Sequence, residues 1–251
     1  MKNIVIGNWK MNPNTFDEAL RVFRSIKRIS KDIKKIQTVI CPPFIYLQTL
    51  IKKNLDNSIS IGAQDSFFEE QGAFTGEISP IMLKDLGVKY VIVGHSERRS
   101  IGETDDDISK KVQILLENNI SPVLCLGEKE RDINGQYLSF LKDQIKNSLL
   151  KVQKKNISKL IIAYEPLWAI GAKEAMNNRD ILETSLFIKK VLSDIYGHDE
   201  AVNIPILYGG SVNFRNAGDI INQGQVNGLL VGRESVNISG FVELLKTVDS
   251  L

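Results

Sequence analysis

Eight short apolar runs recur along this chain, and longer segments with helical periodicity separate them. Most of the runs lack polar alternation, which is typical of strands that are buried on both faces, as in a parallel sheet. The alternation therefore favours folds in which helices cover a parallel sheet. The runs span residues 4–7, 38–41, 58–63, 90–94, 122–127, 160–164, 204–209 and 228–232.

The segments between the runs have the pattern of amphipathic helices. The clearest spans residues 15–28, where a Pro-Asn-Thr start signal precedes an apolar stripe at helical spacing. Eight strand–helix alternations in 251 residues predict one α/β domain over residues 1–251, a (β/α)8 barrel with eight parallel strands. A doubly wound open sheet is the alternative, because the number of strands does not establish closure. Further helical patterns cover residues 105–117, 137–151 and 179–196.

Charge and composition exclude several classes of partner. The 32 basic and 30 acidic residues are mixed along the chain and leave a formal charge of +2. We therefore expect no face that binds nucleic acid or an anionic membrane, and any anionic partner should be small. The start of the chain lacks a signal-peptide pattern and no apolar run is long enough to cross a membrane, which predicts a cytoplasmic protein. Cys41 and Cys125 are then expected to be reduced thiols.

Side chains that can perform chemistry follow the predicted strands. In a parallel barrel the carboxyl ends of the strands meet at one rim, so these side chains should converge there. The alternative is that strand ends are polar because they meet water. The residues concerned are Asn8 and Lys10 after the first run, His95 and Glu97 after the fourth, Glu128 after the fifth and Glu165 after the sixth.

Glycines end the last two runs. Gly209-Gly210-Ser211 follows the seventh run and Gly232 ends the eighth, each before a helical pattern. Glycine lets backbone N–H groups approach an anion closely, and a helix N-terminus favours its negative charge. The pattern predicts a site for a small phosphorylated molecule, although a Gly-Gly pair is also common in turns. The glycine-rich motifs of nucleotide-binding folds are absent from the sequence.

Glu165 and His95 have surroundings that suit proton transfer. A loop that closes over Glu165, beside Pro166 and Trp168, would remove water from the carboxylate and make it a stronger base. His95 precedes a probable helix start, whose positive end keeps the imidazole neutral and able to donate a hydrogen bond. Lys10 would add fixed positive charge. The alternatives are a capping or ion-paired glutamate, a packed histidine and a solvated lysine.

Five motifs in fixed order resemble one enzyme family. They are GNWKMN, GAFTGEIS, YVIVGHSERR, YEPLWAIG and YGGSV, and they are spread over nearly the whole chain. Together they resemble triosephosphate isomerase. The resemblance implies an isomerase that interconverts dihydroxyacetone phosphate and glyceraldehyde 3-phosphate through an enediolate, in glycolysis and gluconeogenesis. We expect no cofactor, and no metal, because the two histidines lie far apart without ligand spacing.

The resemblance also implies roles for individual residues. Glu165 matches the catalytic base and His95 the electrophile, while Asn8 and Lys10 match residues that line the substrate site. Glu97 matches a motif residue whose role in catalysis is less settled. The backbone N–H groups of Gly171, Ser211 and Gly232 are implied to bind phosphate, and that of Arg233 could also reach it.

Residues 166–176 match the family's mobile lid, which we call the lid below. The lid begins at Pro166. Trp168 and Ile170 are expected to cover Glu165, and Gly171 should bring its amide to the phosphate. The sequence departs from the family over residues 172–176, where Ala-Lys-Glu-Ala-Met replaces a glycine-containing tip.

A second departure from the family follows the eighth run. Arg233 stands where the family commonly has a glycine. We predict an ordinary φ for Arg233, since L-residues resist positive φ, and a guanidinium directed outward.

The segment SFFEEQGAFTGEIS predicts contact with a second subunit. It is long for a loop and carries Phe67, Phe68 and Phe74, and exposed aromatic side chains favour burial against a partner. The segment resembles the family's interdigitating loop, which implies a homodimer with Thr75 near the partner's site. A loop packed on itself is the alternative.

Two other functions stay open at this point. Residues 94–98 partly match the serine-hydrolase turn, and Ser96, a later acid and His198 have the chain order of such a triad. Arg98, however, replaces the second glycine of that turn. The other alternative is a barrel that binds phosphate without catalysing the isomerisation.

Overall fold

A computed structural model describes residues 2–172 and 175–251 of the chain. Its strands form a closed parallel barrel in chain order, and β1 pairs with β8 through Ile4 and Gly228. The predicted barrel is therefore confirmed, and the open-sheet alternative is wrong. The strands are β1 Asn3–Asn8, β2 Ile36–Cys41, β3 Ser60–Ala63, β4 Tyr90–Val93, β5 Ser121–Leu126, β6 Ile161–Tyr164, β7 Ile206–Tyr208 and β8 Gly228–Val231.

Helices connect the strands on the outside of the barrel. The four predicted helical patterns are confirmed, with ends that shift by at most three residues. The helices are α1 Phe16–Ser30, α2 Phe44–Lys53, α3 Pro80–Leu86, α4 Ser96–Ser100, α5 Asp105–Glu117, α6 Gln136–Ser148, α7 Asn178–Tyr196, α8 His198–Asn203, α9 Ala217–Gly224 and α10 Ile238–Asp249. Short 3₁₀ turns cover Lys154–Lys159, Leu167–Ala169 and Arg233–Val236.

Side-chain caps fix where several helices begin. Thr15 accepts a hydrogen bond from the amide of Glu18 at the start of α1, as the Pro-Asn-Thr signal predicts. Thr104 and Asp107 cap each other at the start of α5. Because these helices begin shortly after strands, their caps also set the paths of the loops that carry the site.

The core has two layers that follow the alternation of side chains along each strand. One cluster, which includes Ile6, Val39 and Leu230, fills the inside of the barrel. The larger cluster, which includes Val5 and Ile40, lies between the strands and the helices. Because both faces of the strands are buried, their sequences read as continuous apolar runs.

Cys41 and Cys125 are free and buried. Burial raises the pKa of both thiols, which keeps them neutral and unreactive. No helix within residues 2–172 and 175–251 is long and apolar enough to cross a membrane.

Candidate active site

A cavity of about 630 Å³ opens at the carboxyl ends of the strands. The barrel closes there, so residues far apart in sequence meet at one rim, as predicted, with the exception of Glu128, which does not line the cavity. Its lining includes Asn8, Lys10, His95, Glu97, Glu165, Ile170, Gly171, Gly209, Gly210, Ser211, Gly232 and Arg233.

Glu165 is buried at the floor of this cavity, immediately after β6. Its residue surface is 4% exposed, and its backbone N–H donates to the carbonyl of Leu126 at 2.7 Å. Oε1 lies 3.4 Å from Nε2 of His95. Oε2 is buried and has no hydrogen-bond partner among the described residues. Among the described residues, no hydrogen-bond donor therefore competes for the lone pairs of Oε2.

His95 is the N-cap residue of α4. Its Nδ1 accepts the amide hydrogen of Glu97 at 3.2 Å, so the proton of the neutral ring belongs on Nε2. Burial by itself lowers the pKa of His95, but the Glu165 carboxylate raises it, and the net pKa lies above the ordinary histidine value. Protonation of Nδ1 would break the hydrogen bond from the Glu97 amide, so this hydrogen bond favours the neutral ring that the sequence predicts. The Glu165 carboxylate favours the protonated ring.

Lys10 projects from the loop after β1 in a left-handed conformation, with φ +54°. Backbone strain of this kind concentrates at functional sites. Its N–H donates to Oδ1 of Asn8 at 3.0 Å, and Nε2 of Gln64 donates to its carbonyl at 2.8 Å. Nζ contacts Oε1 of Glu97 at 2.6 Å. Two side chains therefore hold the strained backbone while the ammonium group faces the cavity.

Backbone forms part of the cavity lining near the lid. Gly171, Ser211 and Gly232 line the cavity together. Within the described residues, none of their three amide groups donates a hydrogen bond. Amide donors that converge without partners suit an anion.

The lid is held by contacts near its middle and at its second hinge, while Lys173 and Glu174 lie outside the described residues. Ser211 Oγ lies 2.9 Å from the carbonyl of Ala169 and 2.8 Å from that of Ala172. At the second hinge the amide of Met176 donates to Tyr208 Oη at 3.1 Å. Ile170 lines the cavity that Glu165 also lines.

The expectation that Trp168 covers Glu165 is wrong. Trp168 is not among the residues that line the cavity. Its Nε1 donates to Oε1 of Glu128 at 3.1 Å, and Tyr164 Oη donates to the same carboxylate at 2.8 Å. Glu128 is buried and also paired with Arg131, so it draws the indole N–H away from the cavity.

The structure confirms one of the two predictions made for Arg233. Its φ is not positive, and it begins a 3₁₀ turn. The outward guanidinium is wrong, because Nη2 lies 3.8 Å from the position that a Cβ would occupy on Gly171. The side chain therefore approaches the lid at Gly171.

Several residues of the site were missed or underused by sequence reasoning. Gln64, Tyr208 and Arg131 support Lys10, the second hinge and Glu128, respectively. Gly209 is needed because a Cβ there would lie 2.6 Å from Cγ of Glu165. The position of Gln64 and Tyr208 at strand ends is the signal that could have found them.

The hydrolase triad does not form. Ser96 follows β4 at the rim of the cavity, whereas His198 begins α8 and precedes β7, at the opposite end of the barrel. Among the described residues no group of three His, Cys, Asp or Glu side chains is arranged to hold a metal ion.

The loop after β3 packs partly on itself. The rings of Phe67 and Phe68 stack with centroids 4.2 Å apart, and Phe74 lies 4.6 Å from Phe67. Phe67 and Phe68 are half-buried, whereas Phe74 and Thr75 are exposed. The expected exposure of all three phenylalanines therefore applies to Phe74 alone.

The barrel and its rim define a class: (β/α)8 enzymes with a carboxylate, an imidazole and unpartnered backbone amides at one cavity. The family model described as triosephosphate isomerase matches residues 3–248. The chain belongs to the triosephosphate isomerase family.

Curated relatives have the same name. A triosephosphate isomerase of Dehalococcoides mccartyi is 44% identical over 250 residues, which cover 98% of this chain and 96% of the relative. Those of Fusobacterium nucleatum and Dictyoglomus turgidum are 41% and 39% identical, each over 98% of this chain and 99% of the relative. The resemblance seen in the five motifs is therefore confirmed over nearly the full length.

Proposed function

We propose that this chain interconverts dihydroxyacetone phosphate and glyceraldehyde 3-phosphate by proton transfer at carbon. Family membership supports the reaction, and the observation that carries the assignment of the base is the buried, unpartnered Oε2 of Glu165. The proposed role of this enzyme is in glycolysis and gluconeogenesis, in the cytoplasm.

Glu165 acts as the base. Its carboxylate takes the proton from C1 of dihydroxyacetone phosphate, and the electron pair of that C–H bond forms the C1–C2 double bond while the carbonyl π electrons move to oxygen. The resulting enediolate is protonated on that oxygen and deprotonated on the neighbouring hydroxyl. The Glu165 carboxylic acid then returns a proton to C2, which gives the aldehyde. Positioned general bases contribute about 10²–10⁴-fold to such steps.

His95 and Lys10 stabilise the negative oxygen. The Nε2–H of His95 is the free donor of a ring whose Nδ1 is occupied by the Glu97 amide. Lys10 adds a positive charge that its strained backbone places at the rim. Donors held in place before the reaction stabilise developing charge without reorganisation. Oδ1 of Asn8 accepts the backbone N–H of Lys10 and so positions that residue. The Glu97 carboxylate forms an ion pair with the Lys10 ammonium.

Phosphate binding couples to lid position. The amides of Gly171, Ser211 and Gly232 are the proposed phosphate donors, and Gly171 belongs to the lid. Binding energy from the non-reacting phosphate therefore favours the arrangement in which Ile170 excludes water from Glu165.

Glu165→Gln tests the proposal. Turnover of dihydroxyacetone phosphate should fall by at least about 10²-fold, and exchange of its C1 hydrogen with deuterated water should slow equally. Binding of inorganic phosphate, measured by calorimetry, should stay within about twofold of the parent value, since no phosphate donor is changed. Glu183→Gln, an exposed change on α7, is the matched control. Near-normal turnover in Glu165→Gln would exclude Glu165 as the base, and a parent chain that binds phosphate without hydrogen exchange would be a binding barrel.

We also propose a homodimer formed through the loop after β3. Exposed apolar side chains follow each of the first four strands at the rim. One of them, Met11 beside Lys10, is 90% exposed. Apolar groups clustered around a site favour burial by a partner. The loop of one subunit, led by Phe74 and Thr75, would cover Met11 of the partner subunit.

Light scattering tests the dimer. A mass of twice 28.2 kDa is expected, and Thr75→Arg should shift the equilibrium toward the monomer with a parallel loss of activity. Asn134→Arg, on the exposed loop after β5, introduces the same charge outside the proposed interface and should leave the mass unchanged. A parent species of 28.2 kDa at assay concentration would exclude the dimer.

A further inference from the structure

Arg233 extends from the loop after β8 toward the lid. It follows Gly232 directly and is exposed, yet its Nη2 comes within 3.8 Å of the position of a Cβ on Gly171. Arg233, Gly232 and Gly171 line the same cavity as Ser211, whose Oγ contacts the lid. A charged guanidinium therefore lies at the lid end of the cavity, beside Gly171 and next in sequence to Gly232.

The charge balance of the cavity leaves a phosphate dianion undercompensated. Among the residues that the structure describes, Lys10 is the other cation in the lining, and its ammonium is paired with Glu97 at 2.6 Å. Glu165 and Glu234 add further negative charge to the lining. Backbone amides contribute only partial positive charge. A second full positive charge at the phosphate end would correct this imbalance.

We propose that the Arg233 guanidinium is a ligand of the substrate phosphate and ties that phosphate to the lid. The proposal rests on the proposed function, because it assigns the phosphate to this end of the cavity. Guanidinium presents paired N–H donors that match two phosphate oxygens, which a lysine ammonium does not reproduce. The ordinary φ of Arg233 leaves its own amide at the start of a 3₁₀ turn while the side chain reaches across.

This role makes a specific kinetic prediction. Arg233→Gln should raise the KM for dihydroxyacetone phosphate and the dissociation constant of inorganic phosphate by about tenfold, as expected for loss of one charge-assisted contact. Arg233→Lys should restore only part of the affinity because it keeps the charge and loses the paired donors. Isomerisation of D-glyceraldehyde, which lacks phosphate, should be unchanged in all variants.

The experiment measures phosphate binding by calorimetry and both isomerisations by proton NMR. Arg28→Gln, an exposed change on α1 away from the cavity, is the control for altered net charge and should behave as the parent chain. The proposal is wrong if Arg233→Gln binds phosphate within twofold of the parent, or if glyceraldehyde isomerisation falls as much as that of the phosphorylated substrate. Phosphate binding does not depend on turnover, so it tests Arg233 even if the parent chain fails the isomerase assay.

Discussion

Nε2 of His95 lies 3.4 Å from Oε1 of Glu165, and both side chains are about 5% exposed. The two groups therefore influence each other's charge in a nearly dry environment. The protonation of His95 becomes a direct report on the charge of the proposed base.

Glu165→Gln should lower the pKa of His95. Burial lowers that pKa and the Glu165 carboxylate raises it, so removal of the anion leaves the effect of burial unopposed by its main counterweight. The imidazole nitrogen signals, followed by NMR against pH, should show protonation only at lower pH than in the parent chain.

His198 is a useful internal reference in that measurement. It is the only other histidine in the sequence and lies at the opposite end of the barrel, so its signals should not respond to the substitution. A His95 titration that is unmoved, or moved upward, would contradict the electrostatic coupling.

Gly209→Ala should displace Glu165. A Cβ at this position would lie 2.6 Å from Cγ and 3.2 Å from Oε1 of Glu165, closer than atoms pack. A shift of the base by about 1 Å can cost about 10²-fold in turnover, so kcat should fall by that order while the chain still folds. Gly218→Ala on α9, where a Cβ meets only ordinary contacts at 3.7 Å, is the control. Unchanged kcat in Gly209→Ala would mean that Glu165 does not act from the observed position.

Trp168→Phe should destabilise the observed conformation of the lid. The change removes the N–H that contacts Glu128 at 3.1 Å, and a hydrogen bond to a charged group contributes about 1.5–3 kcal/mol. Because Tyr164 still donates to Glu128, we expect the lower end of that range and a loss of about tenfold in kcat/KM.

A double-mutant cycle with Glu128→Gln checks the Trp168 assignment. If Trp168 acts through Glu128, the two effects should be strongly non-additive. Simple additivity would show that Trp168 supports activity through another contact.

Lys111→Met should destabilise the fold beneath the loop after β3. Nζ of Lys111 contacts Asp65 at 2.8 Å and also contacts Glu103, and all three side chains are buried. Removal of the ammonium group leaves two buried carboxylates without their lysine partner, which costs about 3–5 kcal/mol in the free energy of unfolding. Lys110→Met removes an exposed pair with Asp106 and should cost at most about 1 kcal/mol.

The pH dependence of the Lys111→Met effect has a definite sign. Burial raises the pKa of Asp65 and Lys111 opposes it, so loss of Lys111 raises that pKa further. A carboxyl with a raised native pKa contributes stability at low pH that is lost as pH rises through that pKa. The deficit measured by urea unfolding should therefore be largest near neutral pH and shrink toward about pH 4. A deficit that grows on acidification would refute this account.

The sequence alone determined the eight buried strands and which residues follow their carboxyl ends. Eight apolar runs specify strands that are buried on both faces, and the residues after those runs must meet once the sheet closes. Closure itself was not determined by the runs, since it depends on the pairing of Ile4 with Gly228 at the two ends of the chain. The motifs that carry the family resemblance also lie at those strand ends.

Only the tertiary structure decided where the side chains point. Trp168 turns to Glu128, Arg233 turns to the lid, and Gln64 supports Lys10, all through partners that are distant in sequence. Sequence spacing specifies which residues share a face or a rim. The direction of a long side chain depends on which donors, acceptors and gaps the other strands bring beside it, and that neighbourhood exists only after the barrel has closed.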